Sequence, residues 1–361
     1  MRDFVYDMLP GRVVFGVGAL DRLAEEVDKL GAKRALVLST PEQQALAEDA
    51  ARRLEARAVG VFAKAAMHVP IEVARAARAE AKRLAADCYV AIGGGSTIGL
   101  GKAIALETAL PVVAVPTTYA GSEMTTILGI TEGGQKNTLK DRRVLPKTVI
   151  YDPTLTVSLP ARLSATSGMN AVAHAVEALY AENANPIVSL MAEEGIGALG
   201  RSLPVVVKAP DDLEARSDAL YGAWLCGISL GAVGMALHHK LCHVLGGSFD
   251  LPHAETHTIV IAHAAAYNRG AAPEAMARVA KALGVDDAPA GLYDLAARIG
   301  APLKLKDIGL KETDLDRAAD IAVRNPYYNP RPVTREGIRA LLDDAFHGRR
   351  PVRGKASEEA A

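Results

Sequence analysis

The chain has 361 residues, half of them hydrophobic, and a formal net charge of −1. That is long enough for two ordinary domains with substantial cores. It argues against a disordered chain and gives no bulk electrostatic pull toward nucleic acid or an anionic membrane. Aromatic residues are only 4% of the chain, too few for the stacking surfaces used on single strands, and the three cysteines are scattered without a CxxC, as in a reducing cytoplasm.

MRDFVYDMLP at the start carries an acid and lacks the apolar run of a signal peptide. Short β-rich runs then alternate with amphipathic helical stretches. The predicted strands are 13–15, 35–39, 58–62, 88–92, 112–115 and 148–151. Helical patterns lie near 19–30, 42–56, 70–86 and 97–108. Strand, helix, strand at this spacing predicts a mostly parallel sheet with helices on both faces. Asp152-Pro153 breaks the pattern, and from about Leu159 Ala/Leu-rich helical stretches take over. The expected organisation is an α/β domain over 1–155, an all-helical domain over 156–347 and a disordered polar tail over 348–361. The longest apolar stretch, from Ala219 to Leu237, is interrupted by Ser229 and glycines. It reads as a buried core helix rather than a membrane span.

CYVAIGGGSTIGLGKAIA is a buried strand, then Gly93-Gly94-Gly95-Ser96, then a helix. Glycine lets a ligand approach the backbone, and a helix N-terminus offers unpaired N–H groups to an anion, so a pyrophosphate is the natural guest. Pro116-Thr117-Thr118 brings hydroxyls to the carboxyl edge of the sheet, where α/β proteins bind ligands. The second predicted strand runs into Thr40-Pro41 with no acid to grip a ribose 2′-hydroxyl, so charge does not exclude a 2′-phosphate.

Six of the nine histidines (His238, His239, His243, His253, His257 and His263) fall within one short window, and His174 lies upstream in SGMNAVAHAVEALYA. Histidine moves protons near neutral pH or holds a transition metal. His239 and His243 share a helix face four residues apart. His238, His257 and His263 read as structural or supporting.

GGGS after a strand, PTTYAGSEMT some twenty residues on, and HxxxHxxxxxxxxxH in a helical half together resemble the iron-containing alcohol dehydrogenase family over nearly the whole chain. The shortened PTTYAGSEMT loop and NPYYNPRPVT, residues 325–334, resemble its maleylacetate reductase branch. The resemblance implies a Rossmann-like N-terminal domain, an all-α C-terminal domain and an active site in the cleft. It assigns Gly94, Gly95, Ser96, Thr117, Thr118 and Lys136 to NADH or NADPH binding, with NADH slightly favoured. His174, His239 and His253 match three metal-ligating histidines, and His243 matches a histidine near the nicotinamide. Asn170 stands where the fourth ligand is normally aspartate, and Gly99 where the glycine loop normally carries one.

An amide adds no negative charge to a divalent cation, although zinc binds three histidines and a water. The expected enzyme is therefore metal-independent, an NAD(P)H-dependent reduction of the conjugated double bond of a dicarboxylic oxo-acid. His243, His239, His253 and His174 are its expected catalytic residues, and Asn170, Lys240, Arg324 and Tyr327 line its expected substrate site. Arg331 and Tyr119 are further candidates. The alternative is a metal-dependent alcohol or polyol dehydrogenase. A cytoplasmic homodimer without nucleic-acid or membrane partners is expected.

Overall fold

In the computed structural model of this protein, the six predicted runs pair as one parallel sheet. The structure describes residues 11–133 and 135–352 with Phe4, Tyr6 and Leu9, and the backbone alone at Gln135 and Lys136. The strands are β1 (Arg12–Phe15), β2 (Ala35–Leu38), β3 (Ala58–Phe62), β4 (Cys88–Gly93), β5 (Val112–Pro116) and β8 (Thr148–Tyr151). Their order is β1-β8-β5-β4-β2-β3. The intervening helices are α1 (Leu23–Lys29), α2 (Gln44–Leu54), α3 (Ile71–Arg83) and α4 (Gly95–Thr108).

Helices on both faces explain why the central strands read as continuous apolar runs instead of alternating. Val37, Val90 and Ile92 pack with Leu23 and Val27 of α1 and Ala47 and Leu54 of α2. Leu36, Leu38, Tyr89 and Ala91 pack with Ala74 and Ala77 of α3 and Leu100 and Ile104 of α4. From β2 the chain steps outward to β3, and from β4 it steps the other way to β5. The crevice at their carboxyl ends is the topological switch point where such sheets take ligands.

One element was not anticipated. β6 (Ile127–Glu132) and β7 (Gln135–Lys140) form an antiparallel hairpin with Glu132 opposite Gln135. Its sequence signal is the dipeptide Gly133-Gly134, a composition that favours two-residue hairpin turns. The polar stretch beyond it hides the alternation.

The chain divides into two units. The sheet unit runs to Leu159 and includes Asp211–Leu220; the helical unit holds 160–210 and 221 onward. Residues 211–220 join the sheet unit, away from the simple boundary expected near 155, and Arg216 gives the reason. It is fully buried. It donates to the Tyr119 hydroxyl at 3.1 Å and to the carbonyls of Val157 and Leu159 at 3.4 and 3.3 Å.

The helical unit contains α5 (Ala161–Ala178), α6 (Pro186–Lys208), most of α7 (Leu213–Ala232), α8 (Leu237–Phe249), α9 (His253–Asn268), α10 (Pro273–Leu283), α11 (Ala288–Arg298), α12 (Leu315–Ala322) and α13 (Arg335–His347). The apolar stretch expected as one helix to Leu237 is broken after Ala232. Among the described residues no single helix is long and apolar enough to cross a membrane. Gly168 sits where α6 crosses α5: a Cβ there would lie 2.5 Å from Leu203 Cδ2. Part of the expected tail is tied down, since Tyr293 donates to the Gly348 carbonyl and Arg350 pairs with Asp294. Residues 353–361 of that tail lie outside the described residues.

Candidate active site

In the sheet unit, Gly94 is the N-cap residue of α4, with Gly95 and Ser96 in its first turn and no side chain capping it. Gly93 has φ +152, and a Cβ there would lie 2.5 Å from Thr97 Oγ1. A Cβ on Gly94 would lie 3.0 Å from Thr118 Cγ2. One on Gly95 would meet nothing nearer than 3.9 Å. The chain's own packing therefore does not require glycine at 95, whereas a phosphate approaching the backbone would. That open cradle at a helix N-terminus fits the pyrophosphate of a nicotinamide cofactor.

Thr117 is buried, and its hydroxyl accepts from Gln43 Nε2 at 2.9 Å. Sequence reasoning did not single out Gln43, which spans the crevice from the β2 side. Lys102 of α4 is fully buried and donates to Thr125 Oγ1 at 2.9 Å and to the Ile127 carbonyl at 2.8 Å. Burial pulls its ammonium down to about 7. It braces the turn that follows the threonines. A side chain at Gly99 would strike Val69 Cγ2 at 2.7 Å, so the aspartate expected from the family pattern has no room here. Lys136 lies on β7, and its side chain is outside the described residues.

In the helical unit, α5 presents Asn170, His174 and Glu177 at positions i, i+4 and i+7, one face of the helix. All three are buried. Glu177 was missed in the sequence, although an acid on the same face as His174, inside an otherwise apolar stretch, was a usable signal. Its Oε1 accepts the His238 backbone N–H at 2.7 Å, and its Oε2 accepts the Ala236 N–H at 2.8 Å and His239 Nδ1 at 2.6 Å. The carboxylate thus caps the N-terminus of α8, where negative charge is favoured. It also holds the proton of His239 on Nδ1 and leaves Nε2 a lone pair.

Four buried polar atoms of this cluster have no hydrogen-bond partner among the described residues: Asn170 Oδ1, His174 Nδ1, His239 Nε2 and His257 Nε2. Ligating atoms of His174, His239 and His257 lie within 4.8 Å of one another. His257, read from sequence as supporting, thus joins this group. His253 stands exposed at the start of α9, its ring centroid 4.3 Å from that of His257. Burial, with the neighbouring rings second, holds His174, His238 and His257 well below the usual imidazole range. These rings are neutral near pH 7. By ligand type they fit a divalent transition metal: three imidazole nitrogens, one oriented by a carboxylate behind it. Asn170 adds an amide to this set and no negative charge.

A second group lies beside this one. His243 Nδ1 is 3.0 Å from the Tyr327 hydroxyl, and Lys240 Nζ is 5.7 Å from the centre of the Tyr327 ring. Arg324 is exposed. Arg331 stacks on Tyr267 at 4.1 Å and donates to its carbonyl. Tyr119 is buried with its hydroxyl on Arg216. His263 is buried, and desolvation lowers it to about 4.

Known proteins carry the same frame. The family described as iron-containing alcohol dehydrogenase matches residues 10–153, and its C-terminal counterpart matches 164–346. A maleylacetate reductase of Burkholderia cepacia is 61% identical over 97% of this chain and 100% of that protein. One from Sphingobium indicum is 57% identical over 97% of this chain and 99% of that protein. The crystal structure of a maleylacetate reductase from Agrobacterium tumefaciens superposes with a TM-score of 0.95, at 55% identity, covering 97% of this chain and all of that one. The two matched segments together span most of the sequence, and the chain belongs to the iron-containing alcohol dehydrogenase family.

Proposed function

We propose that this protein reduces maleylacetate to 3-oxoadipate with NADH or NADPH, as the names of its relatives indicate. The observation that carries the reading is the buried polar cluster of His174, His239, His257 and Asn170, which places an amide, in place of a carboxylate, beside converging imidazoles that lack a partner among the described residues. When bound, the reduced nicotinamide would supply hydride to the alkene carbon β to the substrate ketone. The electron pair of the double bond moves onto the ketone oxygen as an enolate, and a proton then adds to the other alkene carbon. The products are 3-oxoadipate and NAD(P)+.

In this reading Gly94, Gly95 and Ser96 hold the pyrophosphate, and Thr117, Thr118 and Lys136 contact the cofactor. His174, His239 and His253 line the site of the substrate ketone, and those that present an N–H stabilise the charge that develops on its oxygen. Asn170 contacts the oxo-acid. Lys240 and Arg324 pair with substrate carboxylates, while His243 with Tyr327 supplies the proton. A divalent ion held by His174, His239 and His257 would polarise the same ketone as a Lewis acid. The neutral amide at Asn170 favours the metal-independent course. We place the enzyme in aromatic-compound catabolism in the cytoplasm, as a homodimer without nucleic-acid or membrane partners.

The test is NADH and NADPH oxidation with maleylacetate, using protein assayed for iron and zinc before and after chelator treatment. Turnover that survives chelation is expected. Activity lost on chelation and restored by one metal would favour the metal-dependent dehydrogenase reading, for which the converging imidazoles and Glu177 are the specific support. Absence of turnover with maleylacetate would remove the proposal.

A further inference from the structure

The histidine that joins His174 and His239 is His257, and its second nitrogen is already committed. His257 Nδ1 lies 2.9 Å from Nε2 of His238. Both rings are fully buried. At that distance one proton must lie between the two nitrogens, because two lone pairs or two N–H groups would repel. His238 has little freedom to turn away. It sits in the first turn of α8, with its backbone N–H on Glu177 at 2.7 Å. Cys242, one turn on, brings Sγ to 3.6 Å from His238 Nε2 and 4.0 Å from its Nδ1. Burial pushes that thiol well above its ordinary range, so it remains a weak donor and acceptor.

The chemistry of an enolate says which direction of the shared proton would serve the reaction. An enolate oxygen requires donors. Asn170 Oδ1 is an acceptor, and the proton that Glu177 holds on His239 Nδ1 faces away from the cluster. A neutral ring donates only through the nitrogen its tautomer protonates. If His238 donates, the proton of His257 resides on Nε2, the atom without a partner.

We propose that His257 is a catalytic residue of the reductase, donating a hydrogen bond from Nε2 to the substrate's ketone oxygen as it becomes an enolate. His238 is its positioning residue, donating Nε2–H to His257 Nδ1 and so keeping the other proton turned to the pocket. The hydrogen bonds run from His238 through His257 to the reacting oxygen, with Cys242 Sγ packed against the His238 ring. It rests on the reductase reading for the identity of that oxygen; the arrangement of the two rings does not.

The full-length enzyme labelled with 15N-histidine, without ligand, should show His257 with a protonated Nε2 and a lone-pair Nδ1 in long-range 1H–15N spectra, assigned with His257→Asn. In steady-state kinetics with NADH and maleylacetate, His257→Ala should lower kcat by about 10²–10³-fold, the scale of one lost oxyanion donor. NADH affinity should be unchanged. His257→Gln, which keeps an N–H donor, should recover a large part of kcat. His238→Phe should reduce kcat at least tenfold (about 1.4 kcal/mol) and His238→Gln should rescue it, a pattern that mere filling of space by Phe would not give. A wild-type spectrum with a lone pair on His257 Nε2 overturns the proposal even if a variant fails to fold. So does a folded His238→Phe enzyme with normal kcat. A wild-type enzyme with the expected tautomer but no turnover of maleylacetate would instead defeat the reductase reading, and with it the role given to His257.

Discussion

Replacing Glu177 by Gln is the sharpest test of how the histidine cluster of the helical unit is held together. The change conserves shape and removes one charge. In the native protein both carboxylate oxygens accept: one from the His238 N–H, the other from the Ala236 N–H and His239 Nδ1–H. An amide can accept on one side only. Whichever way it turns, at least one fully buried donor faces an NH2 group. A buried unsatisfied donor costs about 1–3 kcal/mol, and hydrogen bonds to a charged acceptor contribute about 1.5–3 kcal/mol each. A loss of about 2–5 kcal/mol follows. At about 2–4 °C per kcal/mol for a unit of this size, the melting temperature should fall by about 5–15 °C. Far-UV circular dichroism through the melt measures it. The accompanying expectation is a lower kcat, because His239 is freed to exchange tautomers. A variant that melts within about 2 °C of the parent would show that Glu177 is not the anchor of α8.

Gly94→Val should raise the KM for NADH at least about tenfold (about 1.4 kcal/mol) in a folded protein, because even a Cβ there would lie 3.0 Å from Thr118; an unchanged KM refutes the assignment of the glycine loop. Asn170→Asp should tighten zinc binding by at least about tenfold, the scale on which single groups around a site tune affinity, as read by titration against a competing chelator. His243→Ala should lower kcat about 10²–10⁴-fold with little change in NADH binding; near-normal turnover would move the proton donor elsewhere. Stability should also depend on mild acid. His174, His238, His257 and His263 are depressed when folded, and unfolded imidazoles titrate near 6.5. The unfolded chain therefore binds more protons below that pH. Stability is complete above about pH 6.5 and declines as pH drops toward the folded values, by up to about 1.4 kcal/mol per pH unit for each histidine. Urea midpoints at a series of pH values check this, and midpoints that do not move between pH 7 and pH 5 would contradict it.

Much of this was legible from residues alone because the relevant signals are local. A buried strand that runs into three glycines and then a helix can be read from CYVAIGGGSTIGLG without knowing its neighbours, and all six sheet strands were found this way. The β6–β7 hairpin escaped because its second strand is polar and unalternating. Glu177 and His257 escaped for a different reason: what they do depends on which atom faces which. A carboxylate on a helix face is ordinarily solvated, and only the arrival of α8 over α5 turns it into a cap. Likewise the family resemblance pointed to His253, and the structure adds His257 in the buried position one turn further along α9. Side-chain direction on a helix terminus is set by packing from elements far away in sequence, and no local pattern carries it.

The burial of Lys102 has a use outside catalysis. Its amine is enclosed by the turn at 122–127 and has no route to solvent while α4 and that turn stay together. An amine-reactive reagent can label it only when this part of the sheet unit opens, whereas surface lysines react at once. The labelling rate at this one position, followed by peptide mass spectrometry, is thus a clock for local opening beneath the glycine loop. Any ligand that seats there and resists that opening should slow the clock, which gives a way to screen for binders without an enzymatic assay.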